Sequence, residues 1–303
     1  MGRIALIVNP YASGVTYSRV EAVAGVLAQY GDVDIQHTGW PGHAIHLVRE
    51  ACATADAIVV YSGDGGFNEA LNGLADDMPI GFVPGGGTSV LPRALGLPRK
   101  PLAAARAIGT AIGRGQTRRI TVGRVNGRRF GFSAGIGFDA ELVRKVDELG
   151  RGKDGRRPHD LTFALTAARL VGAQHGHFEP ALEIEGLGEA AFAIVANCDP
   201  YTYFGPVPLH FAPEARFELG LDLVAPRKVS PRAVPRFLTY GVLGRGQARA
   251  RDVLYVHDAD RLTIRCSKPM PLQVDGEDLG DVEEAVAEAE RGAVVVLAPD
   301  LAD

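Results

Sequence analysis

Two glycine-rich runs are the first places in this chain where residue type and spacing suggest chemistry. One is Ser62-Gly63-Asp64-Gly65-Gly66-Phe67-Asn68-Glu69, and the other is Pro84-Gly85-Gly86-Gly87-Thr88-Ser89. Each follows an apolar run and precedes a helical pattern. Glycine lets a backbone approach a ligand closely, and unpaired N–H groups at a helix start favour an anion such as phosphate. Two such loops at the carboxyl ends of successive parallel strands are expected to form a phosphate site. Neither is a P-loop or a dinucleotide fingerprint, and Gly152-Lys153 is followed by Asp154 rather than by Ser or Thr. A third group, Asp275-Gly276-Glu277, brings two carboxylates close together, although Asp-Gly is also an ordinary hairpin-turn pair. A fourth, Gly131-Phe132-Ser133-Ala134-Gly135, matches the G-x-S-x-G nucleophile elbow, with Asp222 and His257 downstream in an order a triad could use. The elbow needs a central parallel strand, whereas Ser133 is expected to follow an antiparallel hairpin. A serine hydrolase is therefore the distant reading.

The segment 62–74, S-G-D-G-G-F-N-E-A-L-N-G-L, resembles the G-G-D-G-T-x-N-E-x-x-N-G-L element of the diacylglycerol kinase catalytic-domain family. That family includes bacterial lipid kinases and sphingosine and ceramide kinases, and is distantly similar to NAD kinases. Further landmarks fall in the family's order: Asn9-Pro10 with Ser13-Gly14, Thr38 with Gly42-His43-Ala44, the second glycine loop within 80–97, the segment 135–140, and Asp275-Gly276-Glu277. Together they span nearly the whole chain. The resemblance implies a parallel α/β nucleotide-binding domain like that of NAD kinases, followed by a mostly antiparallel β-sandwich. It implies a lipid kinase that uses ATP and Mg²⁺ to phosphorylate a lipid hydroxyl, with diacylglycerol the favoured acceptor and phosphatidic acid the product. The nucleotide is then expected between the domains, held by Asn9, Thr38, Ser62, Gly63, Asp64, Gly65, Gly66, Asn68 and Glu69 and by Pro84, Gly85, Gly86, Gly87 and Thr88. Glu277 matches the general base that takes the proton of the lipid hydroxyl, and Asp275 is expected beside it, orienting metal or water. Phosphoryl transfer requires this kind of set: phosphate positioning, Mg²⁺ and one carboxylate near the acceptor.

The chain departs from the family pattern at several of these positions. Ser62 stands for the leading Gly and Gly66 for the Thr; Gly86-Gly87 replaces the usual Gly-Thr, with Thr88 one place later. Ser89 and Val90 stand for an Asn and an Asp, and Thr121 for a further Asp. Losing one hydroxyl that bonds a charged phosphate costs about 1.5–3 kcal/mol, which weakens a site without abolishing it. Ser62 or Thr88 could supply a substitute hydroxyl. Leu219 replaces the second Asp of the family's D-D-G-L, so no structural Mg²⁺ is expected there. These changes keep a second reading open, a weak or non-catalytic nucleotide- and lipid-binding relative.

The elements that must position these groups alternate in the first part of the chain as a parallel α/β layer does. Strands are expected over 4–8, 33–37, 57–61 and 80–83, with helices over 18–30, 42–53, near 89–95 and over 101–112. After Gly115 the rhythm changes. Asn126-Gly127 predicts a type I′ hairpin between 119–125 and 128–133. Strands are expected over 181–184, 191–196, 217–224, 254–257, 262–266, 272–274 and 294–297, with helices over 161–171 and 231–243. The domains are accordingly set at 1–117 and 118–303, with the last strand expected to return to the first domain.

The chain's 303 residues suffice for two domains. A net charge of −4 argues against nucleic acid as a partner. Cys52, Cys198 and Cys266 lie far apart and read as buried thiols in a reducing compartment. The opening apolar run is too short for a signal peptide, and no run is long enough to span a bilayer. The expected location is cytoplasmic, with transient contact at the inner face of the membrane where a lipid substrate resides. Arg144, Lys145, Arg151, Lys153, Arg156 and Arg157 read either as a solvated loop or as a contact for anionic headgroups. Phe163, Leu165 and Leu170 read as core or as the lining of an acyl cleft, with Tyr201–Phe204 at its rim. His175 and His177 are expected to be solvated, and the acidic run 278–290 to be an exposed helix or loop face.

Overall fold

The computed structural model of the chain describes residues 2–150 and 160–299. It divides into two compact units, residues 1–121 with 292–303, and residues 122–291.

The first unit opens with β1 (Gly2–Val8), α1 (Tyr17–Leu27), β2 (Gly31–His37) and α2 (His43–Ala51). It continues through β3 (Ala57–Ser62), α3 (Asp64–Gly73), β4 (Pro79–Pro84), α4 (Val90–Ala94) and α5 (Pro101–Arg114). The four strands are parallel and lie in the order β4-β3-β1-β2. Helix α1 packs with α5, and α2 with α3. Helices on both faces explain why β3 reads Ala-Ile-Val-Val-Tyr-Ser without alternation: all six residues are buried. The chain moves outward from β1 to β2, then returns to the other side of β1 to form β3. The strand order thus reverses between β1 and β3, and the carboxyl ends of those two strands flank a topological switch point. Val295 and Val296, near the chain's end, pair in parallel with Pro79 and Ile80 of β4.

β5 (Arg118–Val125) leads into the second unit and pairs with β6 (Arg128–Phe130). Asn126 and Gly127 both have positive φ, at 46° and 86°, as the expected type I′ turn requires. There follow β7 (Ser133–Ile136), α6 (Phe138–Glu148), α7 (Asp160–Ala173), β8 (Leu182–Ile184), β9 (Gly188–Ala190) and β10 (Ala193–Ala196). The rest comprises β11 (Thr202–Phe204), β12 (Val207–Leu209), β13 (Leu221–Pro226), α8 (Val234–Leu243), β14 (Val253–Ala259), β15 (Arg261–Val274) and β16 (Glu277–Val296). The order β14-β13-β10-β7-β15-β16 is antiparallel throughout. The long β15 pairs with β8 near its start and with β7 at its end, and its register against β16 shifts between those two stretches. Ile184, Val195, Leu223, Ile264, Val274 and Ala285 belong to one core.

Several expectations need correction here. The acidic run 278–290 is a strand, not a helix or loop face. Ala285 and Ala287 point inward, while Glu284 and Glu288 pair across to Arg265 and Arg261 of β15. Those cross-strand ion pairs are what make a charged run acceptable as sheet. The expected strands 262–266 and 272–274 are one bulged strand, and 217–224 begins only at Leu221. Helix α6 and the β11–β12 hairpin were not expected. Ser133 opens β7 between two antiparallel neighbours, and its side chain is fully buried. No exposed nucleophile elbow exists there.

Candidate functional site

Three loops meet at the carboxyl edge of the first unit. Asn9 follows β1, and its N–H donates to the Tyr61 carbonyl at 3.0 Å, holding the switch point together. Its Oδ1 accepts from the N–H of Tyr11 at 2.9 Å, which turns the chain sharply after the strand. The turn brings Gly14 against the second glycine loop, where its N–H donates to the Gly85 carbonyl at 2.7 Å. Arg19 and the Tyr61 hydroxyl both donate to the Gly14 carbonyl, at 2.8 and 3.2 Å. Neither residue was singled out from the sequence, because a clamp on a backbone carbonyl carries no motif. Burial raises the Tyr61 hydroxyl's pKa, an effect Arg19 partly opposes.

The two glycine loops hold each other. The Gly85 N–H donates to the Ser62 carbonyl at 2.7 Å, and Ser62 is in register with Pro84. The Leu91 N–H donates to Asp64 Oδ1 at 3.4 Å, tying α4 to the first turn of α3. Ser89, at φ 49°, places its hydroxyl within 3.3 Å of the Gly86 N–H. Gly87 is exposed and faces open space, and Thr88 beside it is half-buried. Thr38 is buried at the end of β2, its N–H on the Val8 carbonyl at 2.9 Å.

Ser62 and Gly66 explain each other. A Cβ placed on Gly66 would lie 2.1 Å from Ser62 Oγ, so the two positions cannot both carry a side chain in this arrangement. The hydroxyl expected at 66 therefore approaches the same space from 62. Ser62 is 1% exposed and its Oγ has no hydrogen-bond partner within the protein. A buried hydroxyl left unbonded beside the first turn of α3 is suited to an anion's oxygen. Farther along α3, Glu69 is committed differently: its two carboxylate oxygens accept from the N–H groups of Gly42 and Ala44, at 2.8 and 3.1 Å, and so cap α2. Asn68 is buried and accepts from Asn72 Nδ2 through both its backbone and its side-chain oxygen.

In the second unit, Asp275 and Gly276 have φ 49° and 79° and form the turn joining β15 to β16, with Val274 opposite Glu277. Asp275 is 2% exposed. Its Oδ2 accepts from the Gly131 N–H at 2.7 Å, and its Oδ1 from the N–H groups of Phe132 and Ser133 at 2.9 and 3.1 Å. It thus pins the β6–β7 connection. Glu277 is partly exposed and stands 3.8 Å from Arg128. Of the two carboxylates, Glu277 is the one accessible to a substrate.

Behind this turn lies a buried cluster that sequence reasoning passed over. Gln273 donates to Asp139 Oδ2 at 2.7 Å and accepts from the Gly276 N–H at 2.8 Å, while the Tyr201 hydroxyl donates to Asp139 Oδ1 at 2.5 Å. Burial pushes the Asp139 carboxyl's pKa up, against the two hydrogen bonds it accepts. The only signal in the sequence was that Asp139 lies in the 135–140 segment.

Arg144 is held by Asp278 and Asp281 at 2.8 and 2.7 Å, and Lys145 by Glu148 at 3.0 Å. Arg151, Lys153, Arg156 and Arg157 lie outside the described residues. Leu165 is exposed, and Phe163 and Leu170 are half-buried. Among the described residues no three His, Cys, Asp or Glu side chains cluster as metal ligands.

Residues 3–125 match the family described as the Diacylglycerol kinase catalytic domain. The chain is 29% identical over 287 residues to the diacylglycerol kinase of Bacillus subtilis, covering 91% of this chain and 90% of that one. In fold it is similar to the crystal structure of a diacylglycerol kinase from Bacillus anthracis, with a TM-score of 0.72 and 22% identity over 99% of this chain and 97% of that one. It is also similar in fold to an NAD kinase from Archaeoglobus fulgidus in complex with ATP, with a TM-score of 0.53 and 13% identity over 98% of this chain and 94% of that one.

Proposed function

We propose, from the match of residues 3–125 to the diacylglycerol kinase catalytic-domain family and the similarity to the Bacillus subtilis diacylglycerol kinase, that this chain transfers the γ-phosphoryl group of ATP to a lipid hydroxyl, with diacylglycerol the favoured acceptor. The observation that carries the reading is the buried, unbonded Ser62 hydroxyl beside the start of α3, where three loops converge at the switch point. These groups fit a phosphate chain: backbone N–H groups and one hydroxyl, with glycines leaving room for close approach. Mg²⁺ takes most of its ligands from water and phosphate oxygens, so one loop carboxylate such as Asp64 is a sufficient protein contribution.

Glu277 is the proposed general base. It would accept the hydroxyl proton as the acceptor oxygen bonds to the γ-phosphorus and the bond to the ADP oxygen breaks. Asp275 positions Glu277 indirectly, by fixing the turn that carries it. The Tyr201–Asp139–Gln273 cluster supports the same turn through the Gly276 N–H. A lipid acceptor brings the protein to a membrane surface from the cytoplasm, and no helix among the described residues is long and apolar enough to cross one.

The test is ³²P transfer from γ-labelled ATP to a panel of lipids in mixed micelles with Mg²⁺, using the wild type and Glu277→Gln. The expected result is a labelled lipid made by the wild type alone, with the variant reduced by at least ~100-fold. ATP binding without transfer to any lipid would favour the non-catalytic relative, the second reading that Gly87, Val90 and Leu219 support.

A further inference from the structure

We propose that α8 and the β11–β12 hairpin form a docking surface for an anionic lipid bilayer. A helix on a soluble domain normally turns its apolar stripe inward. In α8 Phe237 packs against a core and Gly241 is buried, yet Leu238, Val242 and Leu243 face outward as well, 66%, 53% and 52% exposed, alongside exposed Arg236 and Thr239. Leu238 and Val242 are four residues apart and share one face. The neighbouring hairpin continues the patch with Phe204 and Val207, 44% and 42% exposed. The hairpin and the helix are fastened together, since the His210 N–H donates to the Gly241 carbonyl at 2.6 Å. A helix of ten residues is about 15 Å long, too short to cross a bilayer and suited to lying in its interface.

Charge identifies the occupant. The segment 227–251 contains seven Lys or Arg and no Asp or Glu, in a chain whose net charge is −4; the remainder therefore carries −11, from −4 minus +7. All seven cations are exposed. Lys228 and Arg236 pair with Glu179 and Asp252. Arg232, Arg245, Arg249 and Arg251 are exposed and have no carboxylate partner among the described residues. An apolar face flanked by unneutralised cations, on an otherwise acidic protein, fits a surface that is both apolar and anionic. The other basic candidate is weaker, because Arg144 and Lys145 are already paired with carboxylates. The proposal rests on the lipid-kinase reading only in expecting that a bilayer is visited.

The test is flotation of the full chain with phosphatidylcholine vesicles, with and without phosphatidylglycerol, at two salt concentrations. Two variants are compared: Leu238→Ser/Val242→Ser/Leu243→Ser, and Arg232→Gln/Arg245→Gln/Arg249→Gln/Arg251→Gln. All changes are at exposed positions, and an unchanged circular dichroism melt verifies folding. The wild type should bind the anionic vesicles more tightly, and more weakly in high salt. The glutamine variant should lose roughly fivefold per charge on anionic vesicles. The serine variant should lose binding to both vesicle types. Phosphorylation of a short-chain acceptor dispersed as monomers should be unchanged in both variants. The proposal is overturned if the wild type binds no vesicles, or if both variants bind like the wild type. It is equally overturned if the serine changes only convert a dimer to a monomer, which would make this face an interface between copies. Vesicle binding that depends on α8, without transfer to any acceptor, would sink the kinase reading and leave the docking surface standing.

Discussion

At the scale of single residues, Ser62 and Gly66 form one unit in which a hydroxyl and a hydrogen exchange places. Gly66→Thr alone should drive its Cβ into Ser62 Oγ, at 2.1 Å, and weaken ATP binding by at least ~10-fold. Ser62→Gly combined with Gly66→Thr removes the clash and should recover most of that loss, as isothermal titration with ATP would register. Equal losses in the single and double variants would show that the two sites are not coupled. Asp139 makes a separate prediction about pH. Its folded carboxyl titrates above the ordinary value of 3.8, so between those two points the folded state holds a proton that the unfolded state has released. Stability from this group is full below pH 3.8 and is lost as pH rises through the folded pKa. The stability of the wild type minus that of Asp139→Asn, from urea titrations at stepped pH, should fall across that window and then level off. A flat difference would mean that Asp139 titrates normally.

At the scale of elements, the Asp275-Gly276-Glu277 motif is a hairpin turn first. Its two left-handed residues join β15 to β16, and the Asp275 carboxylate faces three backbone N–H groups of the neighbouring connection. Asp275→Ala leaves those donors unbonded in the interior and should destabilise the protein by about 3 kcal/mol, without any ligand present. A stability unchanged in urea would return Asp275 to a purely catalytic role. Glu69 acts on an element in the same way, and Glu69→Ala should cost about 1 kcal/mol through the lost cap on α2. Strands β1, β3 and β4 and the Asn126-Gly127 turn were legible because local rules decide them: uniform apolar runs make doubly covered strands, and Asn-Gly supplies two left-handed residues. The acidic strand β16 was not legible, because its fitness for a sheet depends on arginines of β15 that are distant in sequence. Helix α6 was missed for a related reason: its buried Asp139 breaks the apolar pattern and is acceptable only because Tyr201 and Gln273 reach it.

At the scale of the whole molecule, the chain's end completes its beginning. Val295 and Val296 pair with β4, and Val294 to Ala298 are all buried. Ending the chain at Arg291 would uncover the β4 edge and that apolar surface. The truncated protein should be recovered mainly as aggregate, whereas a soluble product with an unchanged melting profile would refute the dependence.

Order and spacing of the glycine loops, the Asn-Gly and Asp-Gly turns and the apolar runs determined the mixed α/β class, since these follow from local backbone requirements, and the sequence motifs carried the resemblance to the diacylglycerol kinase catalytic-domain family. Tertiary structure alone decided what individual polar groups do. It took Asp275 and Glu69 into backbone hydrogen bonds, left the Ser62 hydroxyl unbonded in a buried crevice, and left Leu238, Val242 and Leu243 of α8 exposed. A side chain's chemistry depends on which donors and acceptors reach it and on how much water is excluded, and both are set by segments far away in the chain.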